Sequence, residues 1–183
     1  LPVEKGLNLF QASLLSFERY FTEDQFMFLF SNQSVNGDLI LKWANQIGLQ
    51  DCSIKLVGLN QPTRGQAETV YVGLEKIDGG DDELLIFNID TIYKDFEKYT
   101  AKANYVDVTK MPGNHWSFVL PSNNQKNIAS RVVEKSRISN LCSVGLYGFE
   151  SINFYKKLFL NHSRKAKDQP ELYVAPLYQD IID

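Results

Sequence analysis

Two cysteines and two histidines are all that this 183-residue chain offers a transition metal. Cys52 and Cys142 lack CxxC spacing, and neither His115 nor His162 stands near them in the sequence, so no zinc quartet is indicated. Both thiols are expected to be free and buried. A surplus of positive charge is also missing, since 19 lysines and arginines face 22 acids for a net charge of −3. A nucleic-acid partner is therefore not expected, because phosphate backbones call for a basic surface. Long apolar runs are absent too. Phe26–Phe30 and Leu84–Phe87 are strand-sized, far short of the roughly 20 residues that cross a bilayer, and no membrane partner is expected. No secretory segment is read, so the sequons at Asn32-Gln33-Ser34 and Asn161-His162-Ser163 carry no weight and a reducing cytoplasm is the expected setting. The chain opens at Leu1-Pro2-Val3 without a methionine and stops after Tyr178–Asp183, which raises the expectation of a fragment.

What is present is an ordinary globular composition, 44% hydrophobic and 22% charged, with no repeats and no Pro/Gly-rich linker. One domain over 1–183 is expected, with a first half (1–104) and a second (105–183) of different character. Phe10, Leu14, Phe17 and Phe21 form a helical stripe that Asn8 is placed to cap. Gln25–Ser31 reads as a strand, Asp38–Ile47 as a helix closed at Gly48, and Ser53–Leu59 as a strand. Gln66–Ile77 reads as a helix stopped by Gly79-Gly80, and Glu83–Asn88 as a strand. Such alternation predicts crossover units, hence an α/β fold with a mostly parallel central sheet and a Rossmann-like first half. The second half carries short strands at Val106–Met111, Trp116–Leu120, Ile128–Glu134 and Ser143–Phe149, forming a mixed-sheet half. Helices follow near Ser151–His162 and Leu172–Ile182. Trp43, Phe154, Tyr155 and Phe159 have core spacing. His162, beside Arg164, Lys165 and Lys167, reads as a solvated helix end, and His115 is given no role.

Four stretches could carry chemistry. In Gln61-Pro62-Thr63-Arg64-Gly65-Gln66, between a strand and a helix, Gly65 lets the backbone approach a flat or phosphorylated ligand before helix amides that favour an anion; alternatively it serves only a tight loop. Asp90, just past an apolar strand and near Asn88, suits a hard cation that takes its remaining ligands from phosphates and water, or it caps the next segment. Glu134 and Lys135 end a strand. They read either as a hydroxyl acceptor and a phosphate-reaching cation, or as an exposed ion pair of little worth. Gly145 in Asn140–Tyr147 allows close ligand approach or marks a bulge.

Taken in order, six motifs resemble the sugar-phosphate nucleotidyltransferases, bacterial enzymes that make nucleotide sugars. They are Gly65-Gln66-Ala67-Glu68-Thr69-Val70, Leu84–Asp90, Trp116-Ser117-Phe118-Val119, Glu134-Lys135, Ser143–Phe149 and Glu171–Tyr178. The resemblance implies a nucleotide-binding α/β fold of the GT-A type. It also implies the reaction of an NTP with a sugar 1-phosphate to give an NDP-sugar and pyrophosphate, serving capsule or lipopolysaccharide assembly. By the same resemblance Gln61, Gly65 and Gln66 bind nucleotide, Asp90 binds Mg²⁺, and Lys135 and Asp90 are the catalytic pair. Trp116, Ser117, Glu134, Lys135, Ser143 and Gly145 bind the acceptor, with Trp116-Ser117 standing where many relatives carry Tyr-Gly. The partners implied are an NTP and a phosphorylated small molecule, and a homo-oligomer is allowed.

The family's Gly-rich loop with its arginine, and the lysine that shortly precedes a Leu-Pro-Val-like stretch, would precede Leu1; a second metal aspartate would follow Asp183. Three other readings stay open: transfer onto a non-sugar phosphate such as a phosphorylated amine, a glycosyltransferase using Asn88-Ile89-Asp90 as its metal motif, and a non-catalytic nucleotide-binding relative.

Overall fold

The computed structural model describes residues 6–99 and 101–183; the Leu1-Pro2-Val3 stretch lies outside them. The chain forms two compact units, one of residues 6–62 with Asn88–Lys98, the other of Thr63–Phe87 with residues 99 and 101–183.

In the first unit Asn8 caps helix α1 (Leu9–Leu14) through a reciprocal box. Its side chain accepts from the Gln11 amide at 2.9 Å, while the Gln11 side chain accepts from the Asn8 amide at 3.2 Å. The predicted stripe buries Leu14, Phe17 and Phe21. It does so through a kink, for Leu15–Tyr20 tightens to a 3₁₀ helix and Phe17 leaves helical dihedrals (φ −113°, ψ 15°). Phe17 then meets Phe96 edge-on, ring centroids 4.8 Å apart. Strands β1 (Phe26–Ser31) and β2 (Ile54–Leu59) pair in parallel, joined across helix α2 (Gly37–Gln46). Ser13 Oγ donates to the Thr91 carbonyl at 2.6 Å and Ser16 Oγ accepts from the Tyr93 amide at 2.8 Å, which fastens the Asn88–Lys98 segment to α1 and the 3₁₀ turn.

The second unit holds helix α3 (Gln66–Leu74), strands β3 (Leu84–Phe87), β4 (Tyr105–Thr109), β5 (Ser117–Pro121), β6 (Ala129–Glu134) and β7 (Cys142–Phe149), and helices α4 (Ile152–Lys165) and α5 (Ala175–Ile182). The sheet runs β3-β7-β5-β6, with β4 also paired to β7, and every pairing in it is antiparallel. The fold is thus mixed α/β, but the expected mostly parallel sheet is corrected: among the described residues parallel pairing is confined to β1–β2. The physical reason is that β3 takes as its partner β7, a strand some sixty residues on and running the other way. Alternation of helix and strand along the sequence fixes direction only when successive strands pair with one another.

β7 is buried along nearly its whole length, and Phe118, Leu146, Phe149 and Tyr155 make the centre of this unit's core. Burying one such ring contributes about 2–3 kcal/mol. Tyr155 also donates its hydroxyl to the Ala67 carbonyl at 2.8 Å, joining α4 to α3. Helix α5 covers the outer edge of β6, where the Gln179 side chain accepts from the Val132 amide at 2.9 Å. α5 starts at Ala175, with Pro176 in its first turn, later than the expected Leu172. Leu172 does not join it, since its amide is bonded to the Arg64 carbonyl and its carbonyl to the Ala67 amide at the start of α3.

Two side chains differ from expectation. Cys142 is free and buried, but Cys52 is free and exposed, because it sits in a 3₁₀ turn (Asp51–Ser53) leading into β2. His162 is buried rather than solvated. Its Nδ1 lies 2.7 Å from Asp180 Oδ2, and Lys165 Nζ bonds Asp180 Oδ1 at 2.8 Å, which clamps α4 to α5. Burial opposes ionisation of Asp180, yet Lys165 and His162 together hold its carboxyl below the usual range. A depressed carboxylate contributes stability that is fully present above the unfolded value, about pH 4, and is lost as pH falls through the folded one. In urea titrations taken from neutral pH into acid, the unfolding midpoint of Asp180→Asn is therefore expected to lie below the unsubstituted protein's at pH 7. The two should converge below about pH 4; parallel curves throughout would contradict the clamp.

Candidate active site

Glu134 is the last residue of β6 and stands opposite Ser117, the first of β5. Cross-strand neighbours on one face interact directly, and here the Ser117 hydroxyl donates to Glu134 Oε2. Tyr147 lies on β7, and its phenol feels Ser143, Ser117 and the charge of Glu134. Burial pushes the Tyr147 phenol up, so it stays protonated and available as a donor.

Gly145 takes φ +84° at an irregularity in the β4–β7 pairing, where Val106 faces Tyr147 but Val108 faces Ser143. It thus sits in a bulge, and its amide donates to Ser143 Oγ at 3.0 Å.

Lys135 follows β6 directly. Its backbone lies in the left-handed region (φ +54°), one of two non-glycine residues there among those described, and its amide donates to the Trp116 carbonyl at 2.9 Å. A side chain held at such dihedrals costs about 1–3 kcal/mol, and this kind of strain collects at functional sites. The Lys135 ammonium lies 4.3 Å from the centre of the Tyr173 ring, bonds the Tyr173 hydroxyl, and stands 4.0 Å from Glu171. The Tyr173 bond holds the Lys135 ammonium above the ordinary lysine range.

Trp116 is braced separately. Its indole N–H donates to the Pro112 carbonyl at 2.9 Å and its ring meets His115 at 4.5 Å. Arg137 lies over the Phe118 ring and donates to the carbonyls of Met111 and Gly113 and to the Asn114 side chain, so a cation holds the 111–114 turn.

Gly65 adopts φ +130° before α3, and a Cβ there would fall 2.7 Å from the Leu172 carbonyl oxygen. The close approach it permits is to protein backbone: Leu172 N–H donates to Arg64 O at 2.6 Å and Ala67 N–H to Leu172 O at 3.0 Å. Glu68, in the first turn of α3, pairs with Arg64 at 3.1 Å. Gln66 opens α3.

Within the second unit, then, the structure gathers Trp116, Ser117, Glu134, Lys135, Ser143 and Gly145, and it links Gly65 to Lys135 through the segment 171–173. Gln61 and Asp90 belong to the first unit. Gln61 is exposed just past β2, after Asn60, whose side chain accepts from Asn32 at 2.7 Å. Asp90 is exposed in a turn closed by the Thr91 amide on the Asn88 carbonyl, and no helix follows within residues 91–98 for it to cap. Among the described residues no three His, Cys, Asp or Glu side chains gather to hold a metal.

No protein-family model and no curated protein matches this chain. Among solved structures, the crystal structure of the nucleoside-diphosphate-sugar pyrophosphorylase from Vibrio cholerae RC9 matches it with a TM-score of 0.88 and 31% sequence identity, covering 100% of this chain and 78% of that one. The chain belongs to the nucleoside-diphosphate-sugar pyrophosphorylase family.

For a pyrophosphorylase-family chain, the residues that sequence reasoning left without a role are Tyr173, Glu171, Tyr147 and Arg137. The polar–apolar–polar order of Glu171-Leu172-Tyr173, a period of two that sets both polar groups on one side, was the available signal for the first pair. Arg137 had none, since most of its partners are backbone carbonyls.

Proposed function

We propose that this protein transfers a nucleotidyl group from an NTP to a sugar 1-phosphate, giving an NDP-sugar and pyrophosphate, a product that feeds surface-polysaccharide assembly such as capsule or lipopolysaccharide. The observation that carries the reading is the placement, at one strand end, of a hydroxyl-reading pair (Ser117–Glu134) directly before a cation (Lys135) in a pyrophosphorylase-family chain. A phosphate oxygen of the acceptor attacks the α-phosphorus; the bond from that phosphorus to the bridging oxygen of the β-phosphate breaks, and pyrophosphate leaves. No side-chain nucleophile is needed, so positioning and charge neutralisation supply the catalysis.

In this reading Glu134 and Ser117 take sugar hydroxyls, Tyr147 donates beside them, and Ser143 and Gly145 form the wall behind. Trp116 offers a ring face, since its N–H is already bonded. Lys135 brings in the acceptor phosphate as a point charge. Gln61 and Gln66 take the nucleotide, and Gly65 turns the chain into α3. Asp90 contributes one exposed carboxylate, and a single carboxylate fits Mg²⁺, which draws its other ligands from phosphates and water. Bound there, Mg²⁺ would screen charge on the triphosphate.

The forward test is pyrophosphate release by the full gene product over a panel of NTPs and sugar 1-phosphates. Release with at least one pair is expected, and silence with all of them would reject the reading. Trp116 favours one variant, a phosphorylated amine as acceptor, because an indole face attracts a cationic head. Including phosphorylated amines in the panel separates the two.

A further inference from the structure

Tyr173 has one proton and two lone pairs to share. Its hydroxyl donates to Glu171 Oε2, so toward Lys135 it can only accept, and the Lys135 ammonium donates to it. That bond takes one of three N–H groups and leaves two directed elsewhere. The Tyr173 ring centre lies 4.3 Å from Nζ, so the ring bounds one side of the ammonium. Tyr173 is itself anchored, because the neighbouring Leu172 donates its amide to the Arg64 carbonyl at 2.6 Å and accepts from the Ala67 amide in the first turn of α3 at 3.0 Å. At its other end Lys135 is fixed by its amide on the Trp116 carbonyl. A long, exposed lysine, which would otherwise sample many rotamers, is therefore held at both ends.

We infer that Tyr173 is a positioning residue: it holds the Lys135 ammonium, with two N–H donors free, in place for the phosphate of the acceptor, and Leu172 ties that placement to the loop at Gly65. This rests on the role proposed for Lys135. The side chains that face the ammonium are Tyr173, Glu171 and Glu134, the two carboxylates adding attraction that holds it charged.

The experiment compares Tyr173→Phe, which keeps the ring and removes the hydroxyl, with Tyr173→Leu, which removes both, and with Lys135→Ala. Steady-state kinetics use the sugar 1-phosphate that the unsubstituted protein turns over fastest, and calorimetry with inorganic phosphate gives a readout independent of turnover. Tyr173→Phe is expected to raise the acceptor KM about three- to tenfold and Tyr173→Leu about thirtyfold, with the NTP KM moving less than about twofold and phosphate binding weakening in the same order. A purely structural role would move both KM values together, which would overturn the inference. An acceptor KM unchanged in Tyr173→Phe and Tyr173→Leu, while Lys135→Ala raises it, would overturn the inference and leave the lysine's role standing. If Lys135→Ala changes neither acceptor KM nor phosphate binding, the lysine's role and this inference fall together, while pyrophosphate release itself would stand.

Discussion

Lys135→Ala is expected to lower kcat/KM for the sugar phosphate by about 10²–10³-fold, the range seen when one preorganised group facing developing charge is removed. The NTP KM should move less than about threefold. Both reactants are anions, and two unit charges 4 Å apart repel by about 4 kcal/mol near a protein surface, so one cation at that point offsets much of the approach. Alanine keeps the same main-chain route at φ +54°, so the loss reads the charge and not the backbone. Lys135→Arg retains a charge on a planar fork that does not match a single-point contact, and partial activity is expected. Steady-state kinetics with each substrate varied in turn checks this; equal losses toward both substrates would contradict it.

Asp90→Asn carries the second large effect. The substitution keeps shape and removes one charge from an exposed turn, so folding should be unaffected. NTP binding followed by calorimetry is expected to tighten with Mg²⁺ in the unsubstituted protein and to lose that dependence in the variant. Turnover should drop about 10²–10³-fold, equivalent to several kcal/mol. Unchanged Mg²⁺ dependence would remove Asp90 from the proposed metal site.

How far the sequence reaches is clear from particular residues. The Asn8 cap, the β1–α2–β2 alternation and the bulge alternative for Gly145 follow from local chemistry, and the structure carries each of them. Strand direction in the second unit was not legible, because a period of two tells which faces are buried but not which strand lies alongside. The start of α5 was missed for a tertiary reason: Leu172 is held by hydrogen bonds to Arg64 and Ala67, either side of Gly65, that no local pattern announces. Burial of His162 needed Asp180, eighteen residues away on another helix. For the candidate site, Glu134 and Lys135 were legible as residue types at a strand end, while Ser117 came only from the family resemblance. The Tyr173 contact to Lys135 was not, since thirty-eight residues separate the partners.

The most direct measurement runs the proposed reaction backwards. Radiolabelled pyrophosphate is incubated with the full gene product and an NDP-sugar. Nucleotidyl transfer at the α-phosphorus predicts label in the β- and γ-phosphates of newly formed NTP, with sugar 1-phosphate released in equal amount. Label that stays in pyrophosphate while NDP accumulates would place the broken bond on the sugar side and contradict the account.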